Sequence, residues 1–280
     1  MEWIKSINRA IEFMEDHLLE DIHAEDVAGQ VHISTFHFQR AFSLLTGMTI
    51  GEYLRKRRLS LAGEELIWGD TKVVNAAYKY GYESPESFSK AFLRFHGITP
   101  RQVKEGAELK SFNKLVVKVI MEGGMVMDYR IEKKEEFKLL VYSRMFNEEN
   151  SGDGIPAFWD EYYQKEMYKK APGYLGVCAQ EKMGEKEFLY GIGCDAEDVE
   201  GVPEGFGILN IPAYTWAIFK CVGAMPDAIQ DMWDRIYREW LPGAEYELIT
   251  DYDIENYLPG DNTSEDYVSE IWIPVKKCER

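Results

Sequence analysis

A twelve-residue pattern occurs twice in this chain, with a spacing of fifty residues. The first copy, residues 38–49, reads FQRAFSLLTGMT, and the second, residues 88–99, reads FSKAFLRFHGIT. In each copy apolar side chains fall at positions i, i+3, i+4 and i+7, which is the spacing of one buried helix face. A glycine follows, and a left-handed glycine ends a helix at little cost. Two copies are too few for a solenoid, so the repeat indicates a duplicated helical module.

The residues before each copy complete a supersecondary motif. DVAGQVHIS precedes the first copy and AAYKYGYES precedes the second. Each predicts a short helix with a small residue, Ala28 or Ala77, where a second helix approaches closely. A turn of about three residues follows, and Ser34 or Ser84 is placed as the N-cap of the next helix. Helix, tight turn and capped helix together predict a helix-turn-helix in each copy.

With these motifs, residues 1–108 resemble the DNA-binding domain of the AraC/XylS family of bacterial transcription regulators. The phrase YGYESPESFSKAFLRFHGITPRQVK carries the family pattern at Gly81, Ser84, Phe88, Phe92, Gly97, Pro100 and Arg101. Two features depart from the pattern: His32 occupies a turn position where glycine is common, and Pro85 and Glu86 open the second recognition helix. The resemblance implies an all-α domain that binds double-stranded DNA. It also favours activation over repression and RNA polymerase as a further partner.

The resemblance also indicates which side chains contact DNA. In the phrase STFHFQR, Phe36, Gln39 and Arg40 match base-contacting positions, and they suit a thymine methyl, adenine and guanine respectively. In the second helix Glu86 repels phosphate, so we expect weaker reading of the second half-site. The predicted DNA-binding residues are Ser34, Thr35, Phe36, Gln39, Arg40, Arg55, Arg58, Ser84, Glu86, Ser87, Lys90 and Arg94.

The segment between the motifs, residues 49–67, predicts one long helix. Eighteen helical residues span about 27 Å, a little less than the ~34 Å of one DNA turn. Such a helix can hold two recognition helices over successive major grooves, and its RKRR run can contact phosphates. The alternative is a simple connector.

Charge is divided unevenly along the chain, whose net charge is −17. Residues 1–110 hold 14 Lys+Arg and 16 Asp+Glu, a net −2, and the remainder therefore carries −15. Eight of the first 16 acids precede residue 27, while most bases follow residue 40. One face of the first domain can therefore be basic, and we expect modest, strongly salt-dependent DNA affinity.

Composition favours a cytoplasmic, metal-free protein of two domains. No run approaches eighteen apolar residues, so no membrane span is expected, and the acidic amphipathic N-terminal helix does not resemble a signal peptide. The four cysteines lack a CxxC pair and the five histidines lack a ligand pattern. We therefore expect reduced cysteines and neither metal nor cofactor.

Residues 109–126 are predicted to link the two domains. Gly123 and Gly124 suit a hinge, and the apolar run LVVKVI (115–120) suggests that part of the linker is ordered. The second domain then covers residues 127–280.

The second domain is also a duplication. FWDEYYQKE (158–166) and MWDRIYREW (232–240) match at their tryptophan, aspartate and tyrosine positions. Two segments of alternating polarity precede each predicted helix and two follow it, which indicates half-buried strands. The fold class is therefore multidomain, all-α followed by a duplicated β-α-β-β domain of α+β type.

Residues 127–277 resemble the GyrI-like effector-binding domain, most specifically in the ending EIWIPVKK and also in IPAYTWAIFKCVG, WLPGAEYEL and IENYLPGD. The resemblance implies two copies about a pseudo-twofold axis, with a small-molecule cleft between them. Aromatic side chains line this cleft and a carboxylate lies near its floor.

Glu270 is our first candidate for that carboxylate, because it interrupts an otherwise apolar strand and a buried acid must be satisfied or neutralised. A solvent-facing Glu270 is the alternative, and Glu255 is the second candidate. Aromatic faces with a carboxylate favour a lipophilic cation. The predicted ligand-binding residues are Trp159, Tyr163, Tyr190, Trp216, Trp233, Tyr237, Glu255, Tyr257 and Glu270.

These features predict a transcription regulator, not an enzyme, that senses a small lipophilic or cationic molecule, as multidrug sensors do. We expect the effector to alter domain packing without rebuilding either fold. One alternative is a GyrI-like hydrolase of small electrophiles fused to a DNA-binding domain, with Glu270 or Glu255 as general base. The other is a ligand-free regulator whose second domain recruits a protein.

Overall fold

The computed structural model describes residues 2–31, 33–68, 71–117, 127–180 and 187–278. The described residues of the N-terminal half form seven helices. They are α1 (Glu2–Asp16), α2 (Ala24–Val31), α3 (Thr35–Thr46), α4 (Ile50–Trp68), α5 (Val73–Lys79), α6 (Pro85–His96) and α7 (Pro100–Lys104). Helices α2 and α3 form the first helix-turn-helix and α5 and α6 the second, which confirms the predicted all-α architecture.

The two motifs begin and end as the repeat predicts. The side chain of Ser34 accepts the amide of His37, and that of Ser84 accepts the amide of Ser87. Gly47 and Gly97 end helices α3 and α6 with φ values of 72° and 81°, in the left-handed region that glycine enters most readily. The four phenylalanines of the repeat, Phe38, Phe42, Phe88 and Phe92, are fully buried.

Residues 107–117 follow the helical domain without forming a helix or strand, and they pack back onto it. Asn8 donates to the carbonyl of Val117 and accepts its amide at 3.0 and 3.1 Å. The first half of the predicted linker, residues 109–117, is thus ordered against α1. His32, Gly123 and Gly124 lie outside the described residues, as do residues 118–120.

Over its described residues, the C-terminal half is one antiparallel sheet with two α-helices. Its elements are β1 (Tyr129–Lys134), β2 (Phe137–Asn147), α8 (Glu148–Gln164), β3 (Leu175–Ala179), β4 (Glu187–Asp195), β5 (Gly207–Ile211), β6 (Tyr214–Val222), α9 (Asp227–Arg235), β7 (Tyr246–Leu248), β8 (Tyr252–Tyr257) and β9 (Val268–Lys277). Helix α9 continues into a π-helical turn, Ile236–Trp240.

The sheet order is β1-β6-β9-β8-β3-β4-β2-β5, with β7 added beside β9. Each repeat supplies four of the eight main strands, and the first strand of each pairs with the second strand of the other repeat. The corresponding strands β3 and β8 meet at the centre. This exchange gives the pseudo-twofold arrangement that the GyrI-like resemblance implied.

Register decides which side chains face the helices. Glu255 lies opposite Ile271, and Ile271 packs with Trp233 of α9. Ile254 lies opposite Trp272, and both belong to a separate apolar cluster that contains Trp216. Since successive strand residues point to opposite faces, Glu255 lies on the helix-covered face.

Candidate functional site

An aromatic cluster surrounds Glu255 on the helix-covered face of the sheet. The indole Nε1 of Trp233 donates to Glu255 Oε1 at 2.9 Å, and the hydroxyl of Tyr257 donates to Oε2 at 2.7 Å. The indole of Trp159, on α8, donates to the hydroxyl of Tyr190 at 2.9 Å and packs edge-on against Tyr257. Two donors and several aromatic faces thus fix one carboxylate between the two repeats.

A glycine makes room for this cluster at the centre of the sheet. Gly176 of β3 lies opposite Glu255 in the register. A Cβ atom at this position would lie 2.5 Å from the hydroxyl oxygen of Tyr190 and 3.5 Å from the ring of Trp159. Any larger residue would therefore displace the pair that lines the α8 side of the cleft.

The remaining predicted ligand residues divide between the two faces. Tyr237 stacks on Trp233 and is buried, while Tyr163 stacks on Trp159 and is 53% exposed. Trp216 is buried in the cluster on the opposite face. Of the nine predicted residues, the structure therefore brings seven to the helix-covered face and places Trp216 and Glu270 elsewhere.

Glu270 is not the carboxylate of this cleft, contrary to our first choice. It lies on the face away from the helices, where Arg130 Nη1 donates to it at 2.7 Å and Trp272 Nε1 at 2.7 Å. Burial raises the pKa of Glu270, but these hydrogen bonds outweigh burial and lower the pKa below its ordinary value. The carboxylate of Glu270 is paired with Arg130. Glu255 is the carboxylate that lies between the two repeats.

The first recognition helix packs against this cleft. The guanidinium carbon of Arg40 lies 3.8 Å from the ring centroid of Trp233, within cation–π distance. Arg40 Nη2 lies 3.7 Å from Glu255 Oε1, and the two side chains are only 16% and 13% exposed. A residue predicted to read guanine therefore lies over the carboxylate of the other half of the chain.

Further contacts attach the same helix to the sheet. The ring of Phe36 lies 4.3 Å from that of Phe188, and the amide of Ser34 donates to Thr250 Oγ1 at 2.9 Å. Arg238 donates to the carbonyl of Leu44 at the other end of the helix. Both ends of α3 are thus held by the C-terminal half.

A buried titratable pair lies at the centre of this interface. His37 Nε2 is 3.2 Å from Asp253 Oδ2, and both side chains are almost wholly buried. Burial and the nearby charge of Arg40 lower the pKa of His37 to about 3. Burial raises the pKa of Asp253 to about 7; Arg40 opposes this rise and Glu255 adds to it. The imidazole is therefore neutral, and the contact is not an ion pair.

A cavity of about 470 Å³ remains between the two halves. Its lining comes from α3, α8, the sheet and the α9 region: Phe36, Gln39, Arg40, Ser43, Leu44, Thr49, Ser151, Gly152, Ile155, Pro156, Cys178, Tyr190, Gln230 and Glu255. The cavity thus joins residues predicted to contact DNA with residues predicted to contact a ligand.

The second recognition helix is uncovered. Glu86, Ser87, Lys90 and Arg94 are all exposed, and Ser84 caps the helix. In contrast, Ser34 and Thr35 of the first motif are buried.

The two predicted phosphate contacts of α4 also differ. Arg55 is exposed. Arg58 instead donates to the carbonyls of Leu18 and Glu20 at 2.6 and 2.7 Å. It therefore holds the segment after α1.

Sequence reasoning missed His37, Asp253, Phe188 and Thr250 as parts of this interface. One signal was available, since Asp253 and Glu255 alternate in β8 and so share a face. Among the described residues, no helix is long and apolar enough to cross a membrane, and no group of side chains could hold a metal ion.

Two family models match the chain. A helix-turn-helix domain model matches residues 27–106, and a model described as integron-associated effector binding protein matches residues 130–275. The second match alone covers more than half of the chain.

Relatives match one or both halves. The chain is 34% identical over 100 residues to the uncharacterized regulator YbfP of Bacillus subtilis. The matched region covers 36% of this chain and 34% of YbfP. It is 35% identical over 94 residues to the regulatory protein SoxS of Salmonella typhimurium, covering 34% of this chain and 88% of SoxS. Similarity to the transcriptional regulator Rob of Salmonella typhimurium is 23% over 263 residues, covering 90% of this chain and 89% of Rob.

A solved structure of SAV2435 bound to tetraphenylphosphonium aligns with 54% of this chain and 94% of its own, at 22% identity and a TM-score of 0.48. Together, the matched family models and the relatives that share the helix-turn-helix region show that the chain belongs to the AraC-type helix-turn-helix transcription regulators and carries a C-terminal effector-binding domain of the integron-associated type.

Proposed function

We propose that this chain is a DNA-binding transcription regulator whose C-terminal domain binds a lipophilic cation at Glu255. The observation that carries the proposal is the guanidinium of Arg40, which already lies over Trp233 and beside Glu255. The cleft therefore accommodates a planar, delocalised cation by charge pairing and by contact with an aromatic face.

The surroundings of Glu255 favour a cation over a neutral ligand. The carboxylate accepts hydrogen bonds from Trp233 and Tyr257, which stabilise its charge without neutralising it. In a poorly hydrated site a charge of this kind attracts a counter-charge more strongly than it would in water. Trp159 and Tyr190 add apolar and aromatic surface on the opposite side.

The DNA partner is double-stranded DNA, contacted by the two recognition helices α3 and α6. We infer that effector binding changes the packing of the two halves and that the regulator activates transcription through RNA polymerase. Repeated helix-turn-helix geometry and the matched family support the DNA assignment.

Binding of tetraphenylphosphonium to the full chain tests the ligand assignment by calorimetry. This probe is a rigid aromatic cation of permanent charge, and triphenylphosphine oxide is a neutral comparison of similar shape. We expect Glu255→Gln to weaken binding of the cation by about 1–3 kcal/mol, the order of the Coulomb attraction between unit charges roughly 5–6 Å apart at an effective dielectric constant of about 20 or more. The neutral ligand should change much less.

Glu270→Gln is the matched control, because it removes a carboxylate from the opposite face of the same sheet. It should leave the affinity for tetraphenylphosphonium within about twofold, since Glu270 contacts Arg130 and not the cleft. A larger effect from Glu270→Gln than from Glu255→Gln would overturn the assignment. Equal losses for the cationic and neutral ligands would show that Glu255 shapes the site without recognising charge.

A further inference from the structure

We propose that Arg40 is an internal ligand of the effector cleft, and that a bound cation releases the first recognition helix by displacing it. The inference rests on the proposed function for the class of the ligand. It adds the mechanism by which binding reaches DNA: the cation competes with Arg40 for the cleft, and DNA competes with the cleft for Arg40.

The position of Arg40 supports competition directly. Its guanidinium covers Trp233 at 3.8 Å, and its charge is paired with Glu255. A cation bound to the same carboxylate and ring must occupy this volume, so Arg40 and the ligand exclude each other. The pairing distance of 3.7 Å is longer than the 2.7–2.9 Å of a strong charge-assisted hydrogen bond. Displacement of Arg40 therefore breaks no strong charge-assisted hydrogen bond to Glu255.

The docked helix cannot read DNA. Thr35 and His37 are buried, Phe36 packs on Phe188, and Arg40 points into the cleft. Base readout requires the recognition helix to enter a major groove about 12 Å wide, with its side chains against base edges. That surface cannot face a β-sheet and a base pair together, so the observed arrangement is closed to DNA at the first half-site.

The interface is also incompletely satisfied. Within the described residues, Thr35 Oγ1 and the hydroxyl of Tyr237 are buried without a hydrogen-bond partner. His37 Nε2 and Asp253 Oδ2 are close, but they do not meet with hydrogen-bond geometry. Buried polar atoms without good partners oppose docking. These atoms therefore lower the stability of the closed arrangement, and among its contacts those of Arg40 line the cavity and are accessible to a ligand.

Competition makes ligand and DNA binding cooperative. A ligand that binds only the open form has an apparent affinity reduced by the fraction of open chain. DNA also selects the open form at the first half-site, so each ligand raises the affinity of the other by the same factor.

The first experiment titrates tetraphenylphosphonium into the full chain, the Arg40→Ala variant and the Lys90→Ala variant. Lys90 is the corresponding residue of the exposed helix α6, so it controls for loss of one positive charge. We expect Arg40→Ala to bind the cation at least threefold more tightly and Lys90→Ala to bind it unchanged. Triphenylphosphine oxide should also gain affinity in Arg40→Ala, because the side chain blocks volume as well as charge.

The outcomes separate this inference from the proposed function. If wild type and Arg40→Ala both fail to bind tetraphenylphosphonium, the proposed cation site is wrong. If wild type binds it, and Arg40→Ala binds equally or more weakly, Arg40 is a wall of the site and the competition is wrong. A gain for the cation without any gain for the neutral ligand would likewise contradict displacement.

The second experiment measures DNA affinity with and without saturating tetraphenylphosphonium. The duplex is one enriched from a random pool by the full chain, and salt is held constant. We expect the cation to raise wild-type affinity at least threefold, and Glu255→Gln to abolish this gain. Unchanged or weaker DNA binding by wild type with the cation bound would overturn the inference, while leaving the cation site itself intact.

Discussion

The two helix-turn-helix motifs of this chain have the same interior and opposite surroundings. The two phenylalanines that the copies share are fully buried in each, and both helices begin at a capping serine and end at a left-handed glycine. However, α3 is covered by the effector-binding domain and α6 is exposed. Local folding therefore does not decide which motif is available to DNA.

The difference lies in residues that the repeat does not conserve between its two copies. Phe36 and His37 of the first helix correspond to Glu86 and Ser87 of the second. Phe36 and His37 pack against the C-terminal sheet, whereas Glu86 and Ser87 remain in solvent. The first helix thus carries a surface suited to both protein and DNA, and the second a surface suited only to solvent or DNA.

Placing a residue of α6 at the matching position of α3 should reduce the difference between the two helices most strongly. Phe36→Glu removes a ring that packs on Phe188, and it brings a carboxylate to a half-buried position. Full burial of a phenylalanine side chain contributes roughly 1.5–3 kcal/mol. Since Phe36 is half-buried, we expect docking to weaken by about 1–2 kcal/mol from the lost ring contact. Hydrogen exchange of the α3 amides should then approach that of α6. Unchanged protection of α3 would show that Phe36 does not hold the helix.

Ligand should reverse the relative importance of the two helices for DNA. In the chain without ligand, Lys90→Ala should weaken DNA binding more than Arg40→Ala, because only α6 is exposed. With tetraphenylphosphonium bound, we expect Arg40→Ala to cost about 1–3 kcal/mol, as for a base contact, and to exceed Lys90→Ala. Fluorescence anisotropy on one duplex measures both. The same order of the two variants in both conditions would contradict the reversal.

The smallest expected effect concerns pH. In the closed form the pKa of Asp253 is raised to about 7 and that of His37 is lowered to about 3. The ordinary pKa values, which apply to the open chain, are 3.8 for Asp253 and 6.5 for His37. Between about pH 4.5 and 6 the closed chain therefore holds one proton on Asp253, and the open chain holds one on His37. The two contributions cancel, and docking of the wild type should be independent of pH in this window.

Single variants should show separately how Asp253 and His37 make docking depend on pH. In His37→Gln only the raised pKa of Asp253 remains, so docking weakens as pH rises. In Asp253→Asn only the lowered pKa of His37 remains, so docking weakens as pH falls. From pH 5.5 to 6.5 the apparent affinity for tetraphenylphosphonium should change in opposite directions, by at most about tenfold. Slopes of the same sign would refute the assignment of the two protons.

The sequence predicted the fold because both halves are duplications whose apolar periodicity fixes each helix and strand. It could not choose between Glu255 and Glu270. Strand β9 is apolar on both faces, with Ile271 against the helices and Trp272 in the opposite cluster. Alternation shows only that Glu270 and Ile271 point apart. The pairing of β8 with β9 decides which face meets the helices, and pairing depends on the whole sheet.

Apolar periodicity could not predict that α3 docks on the C-terminal half, for another reason. A face with Phe36, Gln39 and Arg40 suits a major groove, and it equally suits an acidic, aromatic cleft. The RKRR run shows the same ambiguity at smaller scale. Arg57 is bound to Glu15 inside the helical domain, while Arg55 remains exposed. Residue type gives the available chemistry, and tertiary structure selects the partner.

The two matched tryptophans of the duplicated domain have different hydrogen-bond acceptors. Trp159 donates to the hydroxyl of Tyr190, and Trp233 donates to the carboxylate of Glu255. A frame of twofold symmetry would accept an elongated guest in two equivalent orientations. Here the indole of α9 is bound to a carboxylate and the indole of α8 to a neutral hydroxyl, so a guest with its charge off centre has a single preferred direction. The duplicated domain can therefore distinguish head from tail in its ligand, which two identical repeats could not.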